Sequence, residues 1–129
     1  MVRKAKYLLH TGEGREEPLK DLEYTKRLIL FDEETVGAEV LTFGYLKWEP
    51  KLSFHKKHTH EDAEEVMYIL SGKGIGGVED QEMEVKKGDA VWVPRGAVHW
   101  LDNPYSKPLE MLIVYSKPSI KKAGYHLLD

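Results

Sequence analysis

The chain has 129 residues, of which 41% are hydrophobic and 32% are charged, and its formal net charge is −3 at pH 7. That length suits one domain with a single core, and the hydrophobic content argues against disorder. Because acidic and basic residues are interspersed, no basic stripe that would attract a phosphate backbone is expected, and nucleic acid is disfavoured as a partner.

Cysteine content and hydropathy indicate where the protein works. The chain has no cysteine, and the charged start over residues 1–4 is not followed by an apolar secretory core. No apolar stretch approaches the roughly 18 residues that a membrane helix needs. We therefore expect a soluble, cytoplasmic protein without a membrane partner. The high charged fraction, with Gln81 and Asn103 as the sole side-chain amides, favours a heat-adapted source.

The predicted elements are short strands between two arms. Residues 1–26 are charged and aperiodic and are predicted to form an N-terminal arm. Residues 27–116 are predicted to form a β-barrel, and residues 117–129 a C-terminal tail that is either a short helix or an extended arm. The predicted strands cover residues 27–31, 39–46, 52 toward 60, 65–70, 74–78, 83–85, 90–93, 98–101 and 109–115.

This pattern predicts an all-β fold. The runs are punctuated by glycine and acidic turns, as in an antiparallel sandwich or jelly-roll barrel. No helix-period stretch competes with them, and no internal repeat suggests a second barrel. Open strand edges and apolar aromatics need cover, so we expect a homodimer.

Potential metal ligands are concentrated in two segments. His58 and His60 are separated only by Thr59, so on an extended strand both side chains point the same way, with about 7 Å between their Cα atoms. Glu65 follows after a polar stretch in which a bend can bring its carboxylate back toward the imidazoles. His99 arrives from another strand. These donors could therefore reach one ion.

Two linked sequence patterns contain these residues. The first pattern, G(X)5HXH(X)3,4E(X)6G, is matched by His58, His60, Glu65 and Gly72, with Leu52 in place of its leading glycine. The second pattern, G(X)5PXG(X)2H(X)3N, is matched throughout, by Gly88, Pro94, Gly96, His99 and Asn103. Over residues 52–103 the chain therefore resembles the cupin superfamily, and in particular its small single-domain members.

The resemblance implies both a fold and a cofactor. The fold is a cupin-type antiparallel jelly-roll barrel, here with extended terminal arms, and the cofactor is one divalent transition metal ion. Its implied ligands are His58, His60, Glu65 and His99. Three imidazoles and one carboxylate suit Mn, Fe, Zn, Ni, Co or Cu, so the donor types leave the metal open.

The resemblance implies a range of functions. Similar cupins include dioxygenases, decarboxylases, isomerases or epimerases, and lyases, so we expect a metal-dependent enzyme acting on a small oxygen-rich molecule in the barrel. The alternative is a non-catalytic protein that binds a sugar or organic acid through its metal. A third possibility is a metal that only braces the barrel.

Several residues near the proposed ligands are expected to have other positions or roles. Glu64 would fit the shorter gap of the first pattern, but only Glu65 leaves six residues before Gly72. His55 has the opposite strand parity to His58, which indicates a surface or pocket-mouth position. Met67 and Ile69 share the parity of Glu65 and are expected to line the cavity near the metal.

No general acid or base is assigned from the sequence. Tyr45, Lys47, Tyr68 and His55 are candidates only because they lie near the barrel strands. Asn103, which precedes Pro104, is most simply a turn residue. We interpret three glycines as turn residues: Gly72, Gly88 and Gly96. The three tryptophans are expected in the core or at an interface: Trp48, Trp92 and Trp100.

Overall fold

A computed structural model describes residues 7–18, 25–50 and 54–128, apart from the side chains of Phe54 and His55. These residues form eleven strands, one turn of 3-10 helix at Thr11–Glu13 and one short α-helix. No helix among them is long and apolar enough to cross a membrane. The elements are β1 (Arg15–Glu16), β2 (Thr25–Phe31), β3 (Thr42–Trp48), β4 (Phe54–Thr59), β5 (Glu65–Ser71), β6 (Lys73–Val78), β7 (Gln81–Lys86), β8 (Ala90–Val93), β9 (His99–Asp102), β10 (Leu109–Tyr115), α1 (Ile120–Ala123) and β11 (His126–Leu127).

The strands form two antiparallel sheets that share one core. The six-stranded sheet has the order β1-β2-β3-β10-β5-β8, and the five-stranded sheet has the order β11-β4-β9-β6-β7. Buried and less buried side chains alternate along β3, β5 and β10, as expected for strands with one face on a core. The buried cluster includes Leu46, Ile69, Met111 and Ile113 from one sheet and Val85 and Leu101 from the other. The predicted all-β jelly-roll fold is confirmed.

The strand boundaries differ from the predicted ones near the arms. Strand β2 begins at Thr25 rather than at residue 27, and β1 pairs with it, so part of the predicted N-terminal arm lies along the sheet edge. Strand β3 begins at Thr42 rather than at residue 39, and a turn follows Asp32 after the end of β2. These differences arise from side-chain hydrogen bonds and long-range pairing, which periodicity does not report.

The C-terminal tail contains both of the structures that the sequence left open. Helix α1 begins at an N-cap, where the Ser119 hydroxyl accepts a 3.0 Å hydrogen bond from the Lys122 amide. It ends at Gly124, whose positive φ of 81° turns the chain into β11. Strand β11 then pairs with β4, so that Leu127 lies opposite His58. The tail is thereby attached to the strand that carries the first histidine.

Gly72 and Asn103, two residues of the sequence patterns, shape the loops that follow β5 and β9. Gly72 has φ of +80°, and a Cβ there would lie 2.2 Å from the Pro108 carbonyl oxygen, so only glycine fits. Asn103 is fully buried and does more than occupy a turn. Its Nδ2 donates to the carbonyl oxygens of Trp48 at 3.3 Å and Lys107 at 2.9 Å, which ties the loop before β10 to β3.

Asp32 attaches the N-terminal arm to the barrel. It is buried, and its Oδ2 accepts a 2.7 Å hydrogen bond from Arg15 Nη2. Its Oδ1 accepts bonds of 2.9 Å from the amides of Glu34 and Thr35, which closes the turn after β2. Burial alone would raise the pKa of Asp32, but these hydrogen bonds outweigh burial and lower it.

Replacing Asp32 by asparagine is expected to lower the free energy of unfolding by about 1–3 kcal/mol, because the Arg15 guanidinium loses the buried one of its charged partners. Since the folded pKa of Asp32 lies below the unfolded value, its contribution is complete above about pH 4 and is lost as pH falls further. Urea unfolding of the wild type and of Asp32→Asn between pH 3 and pH 7 measures both effects.

Glu34→Gln is the matched control for this prediction. Glu34 also contacts Arg15, at 3.1 Å, but its side chain is 74% exposed. We therefore expect a loss below about 0.5 kcal/mol. Equal losses for the two variants would show that the arm is not attached through buried Asp32.

Candidate metal centre

Strand ends from both sheets bring the four predicted ligands together. His58 lies near the end of β4, directly opposite His99, the first residue of β9. His60 follows β4 immediately. Glu65 is the first residue of β5 in the other sheet, where it pairs with Tyr115. The four side chains therefore meet where the two sheets face each other.

The donor atoms are close together and buried. One ring nitrogen from each of His58, His60 and His99 lies within 4.8 Å of the others. Glu65 Oε1 lies 3.0 Å from His99 Nε2 and 3.5 Å from His60 Nε2. All four residues are at most 4% exposed. Glu64, the alternative carboxylate, instead accepts a 2.8 Å bond from the indole Nε1 of exposed Trp92.

Backbone carbonyls fix the orientation of each imidazole. The Nδ1 atoms of His58, His60 and His99 contact the carbonyl oxygens of Lys56 at 2.8 Å, Gly124 at 2.6 Å and Ala97 at 3.0 Å. Because a carbonyl oxygen can only accept, each Nδ1 carries the proton and donates it. The Nε2 atom is then left as the site for a lone pair, as in a metal-binding histidine.

The electrostatics of the cluster favour an ionised carboxylate. Burial opposes ionisation of Glu65, but the hydrogen bond and positive potential of His99, together with His60 and His58, outweigh it and lower its pKa to about 2. Burial opposes protonation of His60 and His99. It lowers the pKa of His60, whereas at His99 the hydrogen bond and negative charge of Glu65 outweigh burial and raise the pKa. Binding of a cation must therefore displace the proton that His99 shares with Glu65.

Two tyrosines border the cluster. The ring of Tyr115 meets the His60 ring edge-on, with 4.9 Å between centroids. Burial and the neighbouring Glu65, to which the Tyr115 hydroxyl is hydrogen-bonded, raise the pKa of Tyr115 well above its usual value. The ring of Tyr125, in the tail, lies 5.2 Å from that of His58. These contacts, together with the Gly124 carbonyl, support the imidazoles of His58 and His60.

Sequence reasoning missed these supporting groups. Tyr115 is recognisable only once β10 is paired with β5, and Gly124 and Tyr125 only once β11 is paired with β4. The one available signal was parity, which places Tyr115 on the same face of β10 as buried Met111 and Ile113.

A small cavity lies beside the donors. The volume of this cavity is about 20 Å³. That space holds roughly one water molecule. Besides His58, Glu65 and His99, the described lining residues are Arg27, Leu46, Trp48, Met67, Trp100, Leu101 and Tyr115. Met67 thus lies where parity predicts, whereas Ile69 lines an adjoining apolar cavity.

Three of the four acid–base candidates named by proximity do not line this cavity. Tyr45 and Lys47 occupy the outward positions of β3, where the Tyr45 hydroxyl bonds Glu110 and the Lys47 ammonium lies 3.9 Å from Glu49. Tyr68 is 45% exposed on the outer face of β5. Strand alternation therefore removes all three from the list of acid–base candidates. The side chain of His55 lies outside the described residues.

The chemistry of the donors fits a divalent metal ion. His60 Nε2 is buried and has no hydrogen-bond partner among the residues that the structure describes. Such a buried polar atom is costly unless something binds it. Three imidazole nitrogens with one carboxylate oxygen are typical ligands of Mn, Fe, Co, Ni, Cu or Zn.

Comparison with known proteins agrees with the fold. A family model described as a cupin domain matches residues 44–115. An acireductone dioxygenase from Yarrowia lipolytica is 36% identical over 86 residues, which cover 62% of this chain and 46% of that protein. An oxalate-binding protein from Thermotoga maritima is 29% identical over 85 residues, which cover 66% of this chain and 69% of that protein.

A solved structure supports the fold alone. A predicted oxalate decarboxylase from Thermotoga maritima superposes with a TM-score of 0.69 at 23% identity, covering 85% of this chain and 98% of that one. Several curated relatives are considerably longer, and the chain spans less than half of the Yarrowia dioxygenase. The family match covers more than half of the sequence and includes every proposed ligand, and on that evidence the chain belongs to the cupin domain family.

Proposed function

We propose that this cupin is a divalent-metal enzyme that acts on a small oxygen-rich organic molecule inside the barrel. The proposed ligands are His58, His60, Glu65 and His99. The observation that supports this most strongly is the orientation of the imidazoles: each Nδ1 donates to a backbone carbonyl, which leaves each Nε2 as a lone-pair donor. Glu65 Oε1 approaches the same point.

The residues around the donors have separate tasks. A bound divalent ion would supply Lewis acidity toward a substrate oxygen and, if redox-active, electrons for chemistry with dioxygen. Tyr115 holds Glu65 in place and remains protonated, because its pKa is raised well above the usual value. Leu46, Met67 and Leu101 provide apolar walls that limit water.

The identity of the metal is a finer proposal. We favour Mn or Fe, because an octahedral ion with four protein ligands keeps two positions for substrate. A tetrahedral zinc ion would be closed by the same four ligands and would brace the barrel without doing chemistry. Zn, Ni, Co and Cu should nevertheless bind, since affinity generally increases toward the late first-row metals.

The surroundings favour oxidative chemistry over isomerisation. An isomerase needs a side chain whose pKa lies near the working pH and which reaches the substrate. Among the described residues lining the cavity, Arg27 and Tyr115 are the ionisable groups beyond the proposed ligands, and neither meets that need. The relatives named acireductone dioxygenase and oxalate-binding protein suggest the first compounds to test.

The second candidate is a binding protein that does not convert its ligand. The same shortage of acid–base groups supports it, as does the oxalate-binding relative. The two candidates share the metal site and differ only in turnover.

His60→Ala is expected to reduce the affinity for Mn(II) or Co(II) by more than about 100-fold, since even changes outside the ligand set cost 10- to 100-fold. Calorimetric titration should give one ion per chain for the wild type. His126→Ala is the control, because His126 is exposed on β11. Equal affinities for His60→Ala and the wild type would contradict the proposed ligand set.

Turnover separates the enzyme from the binding protein. The protein is loaded with Fe(II) or Mn(II), and oxygen consumption and carbon dioxide release are followed with acireductone and with oxalate. We expect product formation that His60→Ala abolishes and His126→Ala retains. Saturable binding without product would support the second candidate, and neither binding nor product would contradict both.

A homodimer is the proposed assembly. Val66, Tyr68, Leu70 and Trp92 are exposed apolar residues on β5 and β8, at one edge of the six-stranded sheet. We expect a second copy to cover them. Sedimentation should give twice the 14.9 kDa mass of one chain, and Trp92→Glu should lower it. A wild-type monomer at micromolar concentration would contradict the proposal.

The cytoplasmic location and the heat-adapted source stay predictions.

A further inference from the structure

The C-terminal tail lies along the chain segment that carries two of the proposed metal ligands. In the tail, residues 119–128 include α1 and β11. The backbone amide of Asp62 donates a 3.0 Å hydrogen bond to the Ala123 carbonyl oxygen. At the other end, the Leu128 amide donates a 3.0 Å bond to the Lys57 carbonyl oxygen. These two attachments flank the paired histidines, so the tail is fastened to the barrel on both sides of them.

Between these attachments, two groups of the tail contact the ligands themselves. The Gly124 carbonyl oxygen accepts a 2.6 Å hydrogen bond from His60 Nδ1. The ring of Tyr125 lies 5.2 Å from the His58 ring and 6.0 Å from the His60 ring, between centroids. A carbonyl that accepts from one ring nitrogen fixes the orientation and the tautomer of the imidazole. The tail therefore determines where His60 Nε2 points.

The tail has little packing of its own to hold it in place. Among residues 119–128, all of which the structure describes, Ala123 alone is buried. Helix α1 has four residues and β11 has two, and elements this short are marginal by themselves. The 2.6 Å ion pair between Lys122 and Glu33 is exposed and contributes little. Contacts with the segment that carries the histidines therefore supply much of what keeps the tail docked.

A cation at the site would strengthen these contacts. Coordination through Nε2 withdraws electron density from an imidazole, so the Nδ1–H of His60 becomes a stronger donor to the Gly124 carbonyl. The ring against which Tyr125 packs is fixed at the same time. Coupling between two binding events is reciprocal, so a tail that docks more firmly on the occupied site must also raise the affinity for the metal.

We propose that the C-terminal tail is a metal-dependent latch. It opens often when the site is empty and stays docked when the site is filled, and its docking raises the affinity for the metal through the Gly124 carbonyl and the Tyr125 ring. This inference rests on the proposed function and deepens it, because it assigns to the tail the control of metal retention. Gly124 and Tyr125 are positioning residues, since they act through the histidines.

Amide hydrogen exchange of the full chain, followed by mass spectrometry with and without Mn(II), tests the latch. We expect Mn(II) to slow exchange in peptides from residues 119–128 by about 5- to 150-fold, the range of coupling between two sites. Strand β1 is the internal comparison, because it is also a two-residue edge strand but pairs with β2, which carries no proposed ligand. Equal slowing in both regions would show general stabilisation by the metal and would overturn the proposal.

The reverse direction is tested by forcing the tail off the barrel. Ala123→Glu places a charged side chain at a position that is 0% exposed. We expect calorimetry to show a loss of Mn(II) affinity of about 10- to 100-fold, the range for losing a group that orients a ligand. The new negative charge would by itself attract the cation, so electrostatics cannot explain a loss.

Lys121→Gln is the matched control for charge. It makes the net charge more negative by the same amount as Ala123→Glu, but at an exposed position of α1. We expect its Mn(II) affinity to stay within about 2-fold of the wild type, since exposed charges are screened. Unchanged affinity in Ala123→Glu, or an equal loss in Lys121→Gln, would overturn the proposal.

The remaining outcomes separate this inference from the proposed function. If the wild type binds Mn(II) but exchange in the tail does not respond, the latch is overturned while the metal site stands. If the wild type binds no Mn(II), the proposed function itself fails. Should Ala123→Glu not fold, Tyr125→Ala replaces it, because Tyr125 is 40% exposed and its loss is tolerated more easily. We then expect weaker Mn(II) binding that Tyr125→Phe restores, and equal affinity in both variants would overturn the inference.

Discussion

The contact between Glu65 and the imidazoles is the constraint on which the rest of the site depends. A carboxylate that is 4% exposed cannot remain charged unless positive or donating groups surround it. Here its neighbours are His99 and His60, each with Nδ1 committed to a carbonyl, so the nitrogens that face Glu65 are the ones with lone pairs. Lone pairs and a carboxylate repel each other unless a proton or a cation lies between them. A divalent ion meets that requirement for all four donors at once.

The two-sheet architecture creates this arrangement from local rules. Pairing of β4 with β9 brings His58 and His99 face to face, with 4.0 Å between ring centroids. Glu65 reaches them from the other sheet, because β5 begins where the sheets approach. The buried hydrophobic core, which includes Met67 and Leu109, supports the strands that carry the ligands. Ligand positions then depend on strand ends held by a packed core, which favours precise geometry.

The sequence predicted the residues whose roles depend on short-range patterns. It did not reveal the residues whose roles depend on the pairing of strands that are distant in the chain. His58, His60, Glu65 and His99 could be selected because their spacing follows strand alternation and two linked patterns. Arg27 gave no such signal, since β2 has a run of consecutive buried residues and a register shift between Ile29 and Phe31, so parity is unreliable there. The Gly124 carbonyl that orients His60 lies 64 residues away along the chain. Only the tertiary fold reveals such groups.

The most direct measurement is anomalous diffraction from crystals of the Mn(II)- or Co(II)-loaded protein. The account predicts one strong peak in the anomalous difference map, at about 2.0–2.3 Å from the Nε2 atoms of His58, His60 and His99 and from a carboxylate oxygen of Glu65. A metal bound elsewhere, or a peak beyond coordinating distance of any of these four atoms, would contradict it.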